Sequence, residues 1–198
     1  MVNPTSIGRA SYNKVLTSIA NHHATIKESL PMIASENIPS PAVKEAMACD
    51  FGDRYAEGWV GERVYAGCKY LDEVESVAID LGKKLFHSEF IDVRPISGVF
   101  ANMVAYTVFS NPGDVLMACT IPTGGHISHS KESLGGTAGL VRKLDVQNYP
   151  FDEEEFTIDV DKTSNLVKEL SGKGKAPKIF MLGASVFLFP HPVKEIIN

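Results

Sequence analysis

The chain has 198 residues, 44% of them apolar and 22% charged, which is enough for a domain with a hydrophobic core and typical of a globular protein. Its net charge of −5 gives no electrostatic reason to expect nucleic acid or an anionic membrane as partner, and no apolar run reaches membrane-spanning length. Three cysteines, Cys49, Cys68 and Cys119, are too few and too scattered for a disulfide framework or a zinc site, so buried reduced thiols in a cytoplasmic protein are expected.

The opening Met1-Val2-Asn3-Pro4 lacks the basic and apolar regions of a signal peptide. Residues 10–28 read as a weakly amphipathic helix. Pro39-Ser40-Pro41 then predicts a helix start, with Ser40 as N-cap and Pro41 at the first helical position. Residues 52–68 set Gly52, Gly58, Gly61 and Gly67 among Arg54, Tyr55, Glu57, Trp59, Glu62, Arg63 and Tyr65. That mixture predicts an ordered loop that contacts something. Leu71 to Phe86 carries apolar residues at 71, 74, 77, 78, 81 and 85, the spacing of a helix with a core-facing stripe.

An alternation follows. Residues 90–94 read as a short extended stretch, and Gly98 to Phe109 as a helix stopped by Asn111-Pro112-Gly113. Val115 to Ala118 predicts a buried strand, Leu140 to Val146 another, and Lys178 to Leu182 a third, with a helix over Asp161 to Leu170. Strands alternating with helices imply a mostly parallel α/β sheet. The run Asp152-Glu153-Glu154-Glu155 reads as a solvated turn. Val193 to Asn198 reads as the first turn and a half of a helix with no strand after it, as though a βαβ unit were cut in its middle.

Three segments offer chemistry. Ser97-Gly98 opens an apolar helix, where Ser97 caps and Gly98 lets a ligand approach the backbone. Such a start is often only a cap, yet its free amides and the helix dipole also favour an anion. Gly124-Gly125-His126 follows a strand, and its flat imidazole is suited either to stacking on an aromatic ring or to a structural role in the loop. His126 and His129 as metal ligands are disfavoured, since no acidic or cysteine partner stands nearby. Ser35, taken alone, reads as a cap or turn residue.

Taken together, the segments carry more. Leu30-Pro31-Met32-Ile33-Ala34-Ser35-Glu36-Asn37, Arg54-Tyr55-Ala56-Glu57-Gly58, Tyr65-Ala66-Gly67-Cys68, Pro95-Ile96-Ser97-Gly98-Val99-Phe100-Ala101-Asn102 and Gly124-Gly125-His126-Ile127-Ser128-His129 stand in a distinctive order and spacing. In both they resemble the front half of the serine hydroxymethyltransferases, enzymes that use pyridoxal 5'-phosphate (PLP). Gly124 to His129 and Leu188 to Glu195 resemble the archaeal branch.

The resemblance implies a partial PLP fold-type I (aspartate aminotransferase-like) large α/β domain over 88–198, preceded by an N-terminal helical arm and dimer-contact loop over 1–87. It implies a reaction of one-carbon metabolism: the hydroxymethyl carbon of serine passes to tetrahydrofolate or tetrahydromethanopterin, leaving glycine. Ser97 and Gly98 would hold the PLP phosphate, His126 would pack over the ring, and Ser185 would lie near the ring hydroxyl. Ser35 would hold the substrate carboxylate, and Gly124 and Gly125 would belong to the loop that contacts the pterin. Tyr55, Glu57 and Tyr65 would reach into the site of the partner subunit: Tyr55 to phosphate, Glu57 to handle protons, Tyr65 beside the reacting centre. A homodimer or larger oligomer follows.

The family pattern around the phosphate is usually Pro-His-Ser-Gly-Ser/Ala-Gln-Ala-Asn, so Ile96, Val99 and Phe100 depart from it, as does Val64 where many members carry tyrosine. No lysine of the chain stands in a motif like that of the family's cofactor-bearing lysine. The resemblance therefore implies a split or truncated form, inactive alone and completed by a C-terminal chain. The alternatives are a non-catalytic relative that binds a phosphorylated ligand or partner, and another PLP-dependent aldolase of β-hydroxy amino acids.

Overall fold

The computed structural model describes residues 4–33, 35–131 and 136–197, with side chains from Ile7 onward. Ala34 of the Leu30–Asn37 motif, the opening Met1-Val2-Asn3 and the terminal Asn198 lie outside the described residues. The chain folds as two compact units, Met1–Glu73 and Val74–Asn198.

In the first unit α1 (Pro4–Lys27) is the expected helix, and its described side chains are all exposed, in keeping with its weak stripe. α2 (Pro41–Met47) begins as its sequence requires: the Val43 N–H donates to Ser40 Oγ at 3.3 Å and Pro41 lies in the first turn. The glycine-rich segment is ordered by one side chain. β1 (Gly58–Trp59) and β2 (Glu62–Arg63) form a small antiparallel hairpin, turned by Gly61 at φ +79°. Arg63 donates to Asp72 Oδ1 at 2.6 Å and to the carbonyls of Ala56 and Gly58 at 2.6 and 2.8 Å. The other Asp72 oxygen accepts the Gly61 N–H at 3.1 Å. A guanidinium that is almost wholly buried is thus paired and hydrogen-bonded, the condition under which burying a charge is tolerated.

α3 (Lys69–Phe86) has the expected span but not the expected packing. Val74, Val77, Leu81 and Leu85 are between 56% and 72% exposed, and no residue of the helix is buried. The spacing is helical, but among the described residues nothing covers this face. Residues 90–94 form no strand; they run irregularly, with Asp92 pairing Arg94 at 2.6 Å and Ile91 lying against Gly82.

The second unit is built on a sheet. α4 (Gly98–Phe109) is capped by Ser97, whose Oγ accepts the Phe100 N–H at 3.1 Å, and the chain turns at Gly113 with φ +93°. β3 (Val115–Ala118) follows and is fully buried. After short helical turns at Ile127–His129 and Thr137–Val141 come β4 (Asp145–Asn148) and a hairpin of β5 (Phe151–Asp152) with β6 (Thr157–Ile158). α5 (Val160–Gly172), β7 (Ile179–Phe180) and α6 (Val193–Ile197) complete the unit.

The main sheet has the order β4-β3-β7, all parallel, with Leu116 beside Val146 on one side and Ile179 on the other. Its period-two alternation divides the core. Leu116 and Ala118 pack with Tyr106 of α4, Val146 and Leu144 on one face. Val115 and Met117 pack with Tyr149, Ile158, Leu166, Leu170 and Ile196 on the other, toward α5 and α6.

Two further expectations need correction. The strand expected over Leu140–Val146 is displaced: Thr137–Val141 winds as a wide helical turn, Lys143 takes φ +59°, and the strand starts only at Asp145. Cys49 is exposed rather than buried, whereas Cys68 and Cys119 are buried, and all three are free thiols. The acidic run does form a turn, between β5 and β6, where Asp152 Oδ1 accepts the Glu154 and Glu155 N–H groups at 2.9 and 3.0 Å.

Candidate functional site

In open parallel sheets, ligand sites form beyond the carboxyl ends of the strands. Here the chain leaves the ends of β3 and β7 and, with the start of α4, walls a cleft of about 360 Å³. Ser97, Gly98, His126 and Ser185, picked out separately in the sequence, line it together, joined by Val99, Asn102 and His129. An α-helix gives its first amides no acceptor of its own, so Gly98 and Val99 present N–H groups here. A Cβ built on Gly98 would meet nothing within 4 Å, so the space before the helix is open. A phosphate fits such a start, because both the amides and the helix dipole favour negative charge. Of the departures from the family pattern, only Val99 borders the cleft; Ile96 is 91% exposed.

The opposite wall is a hydrogen-bonded knot. The Ser128 N–H donates to His126 Nδ1 at 3.1 Å, and Ser128 Oγ lies 2.7 Å from the same nitrogen. Asn102 Nδ2 donates to Ser128 Oγ at 2.8 Å and stands 3.3 Å from His129 Nε2. One helical turn further on, the Tyr106 hydroxyl donates to the Ser128 carbonyl at 3.2 Å. Burial raises the Tyr106 pKa to about 12, and burial together with the nearby His126 lowers that of His129 to about 4. Both groups are neutral at pH 7.

The glycines before His126 have structural work of their own. Gly124 takes φ +92°, and its carbonyl accepts the Ser185 and Val186 N–H groups at 2.7 and 3.1 Å. A Cβ on Gly124 would collide with the Val186 carbonyl, and one on Gly125 with those of Cys119 and Thr120. Gly124 borders a neighbouring cavity of about 430 Å³ walled by Ile121, Phe151, Phe156, Phe187 and Leu188, rather than the cleft of His126.

The first unit holds the other candidates. Tyr55 and Tyr65 line a cleft of about 530 Å³ together with Arg54 and Tyr70, their rings 5.5 Å apart. Glu57 and Ser35 are exposed and do not border that cleft; the Glu57 carbonyl accepts the Val64 N–H at 2.9 Å. Among the described residues, no group of three or more His, Cys, Asp or Glu is placed to hold a metal ion, and no helix is long and apolar enough to cross a membrane. Asn102 is the residue that motif reading passed over. Its signal was there, as the sole amide in an otherwise nearly apolar helix, one turn from both Gly98 and Tyr106.

The family model described as serine hydroxymethyltransferase matches residues 9–191. A serine hydroxymethyltransferase of Nitrosopumilus maritimus is 60% identical over 96% of this chain and 43% of its own length. That of Cenarchaeum symbiosum is 57% identical over the same shares. That of Korarchaeum cryptofilum is 56% identical over 94% of this chain and 43% of its own. The chain spans less than half the length of these relatives.

Proposed function

The chain belongs to the serine hydroxymethyltransferase family, and from that premise we propose that its second unit carries the phosphate- and ring-binding half of a PLP site for serine–glycine interconversion. The observation behind the reading is the convergence of Ser97, Gly98, His126 and Ser185 on one cleft at the carboxyl ends of parallel strands. PLP, when bound, supplies the electron sink on which the chemistry depends.

The chain's own residues do the rest. The first amides of α4 hold the phosphate, and Ser97 keeps the helix start in place by accepting the Phe100 N–H. His126, anchored at Nδ1, offers the flat face of its ring, and Ser185 offers a hydroxyl from the opposite strand end. Because the phosphate contacts are to backbone, Ile96, Val99 and Phe100 do not abolish them.

The remaining roles are carried over from the family. Ser35 holds the substrate carboxylate, and Gly124 and Gly125 shape the loop beside a tetrahydrofolate or tetrahydromethanopterin acceptor. Tyr55, Glu57 and Tyr65 act within an oligomer of at least two chains, Glu57 as the proton-handling carboxyl. None of the lysines among the 198 residues stands in the family's cofactor-bearing motif, so these residues by themselves bind the cofactor without turning over serine.

The test is a PLP titration of the purified chain followed by borohydride reduction and intact-mass measurement. Saturable binding without a stoichiometric pyridoxyl adduct is expected. Gly98→Asp places a carboxylate in the open space at the helix start, where it suits the dipole but repels a phosphate. It should weaken PLP by roughly tenfold or more, about the 1.4 kcal/mol scale of one charge-assisted hydrogen bond, with helicity unchanged. Equal PLP affinity in the two chains sinks the phosphate assignment. A single modified lysine shows instead that residues 1–198 carry their own cofactor-bearing group.

A further inference from the structure

We infer that Asn102 is a positioning residue of the cleft, its one carboxamide setting the tautomer of His129 and steering the Ser128 hydroxyl onto the His126 ring. In treating the cleft as a site the inference rests on the reading above, but the hydrogen-bond directions follow from the chain alone.

The chain of donors has one consistent order. The Ser128 N–H can only donate, so His126 Nδ1 accepts, which places the ring proton on Nε2. The Ser128 hydroxyl, 2.7 Å from that same accepting nitrogen, must then donate as well. Its oxygen is left to accept, and the Asn102 amide supplies the proton at 2.8 Å. The second proton on the same amide nitrogen faces His129 Nε2 at 3.3 Å. That nitrogen therefore accepts, and the neutral His129 carries its proton on Nδ1, opposite to His126. His129 Nδ1 is itself buried without a hydrogen-bond partner among the described residues, so nothing on that side sets the tautomer.

The two imidazoles lie edge to face with centroids 5.8 Å apart, and Gly183 of the opposite wall would bring a Cβ within 3.6 Å of His129 Cε1. The titratable groups around the knot are His126, His129 and Tyr106, and Tyr106 engages only the Ser128 carbonyl. Among the described residues, Asn102 is the side chain that hydrogen-bonds to both Ser128 Oγ and His129 Nε2, while His126 meets His129 only edge to face. Asn102 consequently couples the two imidazoles that line the cleft, the half-buried His126 and the buried His129, through two protons on a single atom.

Long-range proton–nitrogen correlation spectra of histidine-labelled chain, recorded near neutral pH with no ligand added, read each tautomer directly. In the wild type His126 should show the Nε2–H pattern and His129 the Nδ1–H pattern. Asn102→Asp keeps the shape but replaces the two donated protons by accepting oxygens. His129 should then switch to Nε2–H, with a change of about tenfold or more in its tautomer ratio, as expected for exchanging one hydrogen-bond polarity for the other. His126 should keep its tautomer, because the Ser128 N–H remains, while its Nδ1 resonance shifts as the hydroxyl turns away.

Asn102→Leu, which removes both donors without offering an acceptor, should leave His129 a mixture. A merely structural Asn102 would move both rings together or neither. An unchanged His129 pattern in either variant, with native circular dichroism, overturns the inference. The PLP titration separates the two ideas: a wild type that binds no PLP overturns the cofactor reading and leaves the tautomer result standing.

Discussion

At the scale of the residue, the histidine pair divides what sequence can and cannot say. His126 was legible, because a glycine pair before a histidine at a strand end is a distinctive arrangement. His129, three residues on, was considered only as a metal ligand, since burial is a property of the fold and not of the motif. It is 5% exposed, and that changes its chemistry. Its pKa falls from 6.5 to about 4, so the native chain refuses a proton that the unfolded chain accepts. Above pH 6.5 neither state is protonated there and the group has no effect. Between pH 6.5 and about 4 the unfolded state gains the proton first, so stability falls as pH falls. The loss is on the order of 3 kcal/mol and levels off below pH 4. Urea denaturation across this range should show that extra loss in the wild type and not in His129→Gln; parallel profiles would show that His129 does not stay neutral in the fold.

At the scale of the element, caps were more legible than strands. Ser40-Pro41 and Ser97-Gly98 each announced a helix start, because a hydroxyl acceptor and a fixed or permissive backbone act locally, and both helices begin there. The strand expected over Leu140–Val146 failed because its residues have strand-like composition, yet a left-handed Lys143 and the winding of Thr137–Val141 postpone pairing until Asp145. No local propensity encodes that delay. Apolar patterning was similarly blind to covering. β3 and α3 both read as core elements, but Met117 is fully buried at the centre of the sheet while Leu81 is 59% exposed. Met117→Ala should therefore cost roughly 3 kcal/mol, through lost burial and the cavity left behind. Leu81→Ala should cost no more than a few tenths of a kcal/mol in the monomer. Urea midpoints at low protein concentration check the pair, and similar costs for the two would show that α3 is covered after all.

At the scale of the whole molecule, the exposed face of α3 is one of several apolar surfaces. Leu30, Met32, Ile33, Val108 and Phe109 are also largely exposed. Apolar surface on this scale marks association rather than a solitary monomer. The chain should sediment as concentration-dependent species, and Leu81→Glu, which places a charge in the middle of the α3 face, should shift the distribution toward monomer without lowering helicity. A single monomeric species across the concentration range would show that these surfaces are tolerated in water. The sequence carried the family through the order of its motifs, and the alternation of helix and strand carried the α/β class. What it did not carry was which apolar faces find partners inside these 198 residues, because a helical stripe reads the same whether its partner is near or elsewhere.

The bridge between Gly124 and Val186 has an evolutionary corollary. It joins the loops after β3 and β7 entirely through backbone atoms, one carbonyl receiving two amides, so it demands the absence of a side chain at 124 and asks little of the one at 186. A side chain at 124 would run into the Val186 carbonyl, while a change of side chain at 186 leaves the backbone contact in place and reshapes the adjoining aromatic-walled cavity, which it also borders. The cavity can thus acquire new preferences over generations through one wall residue, without loosening the strap that holds Ser185 beside the cleft.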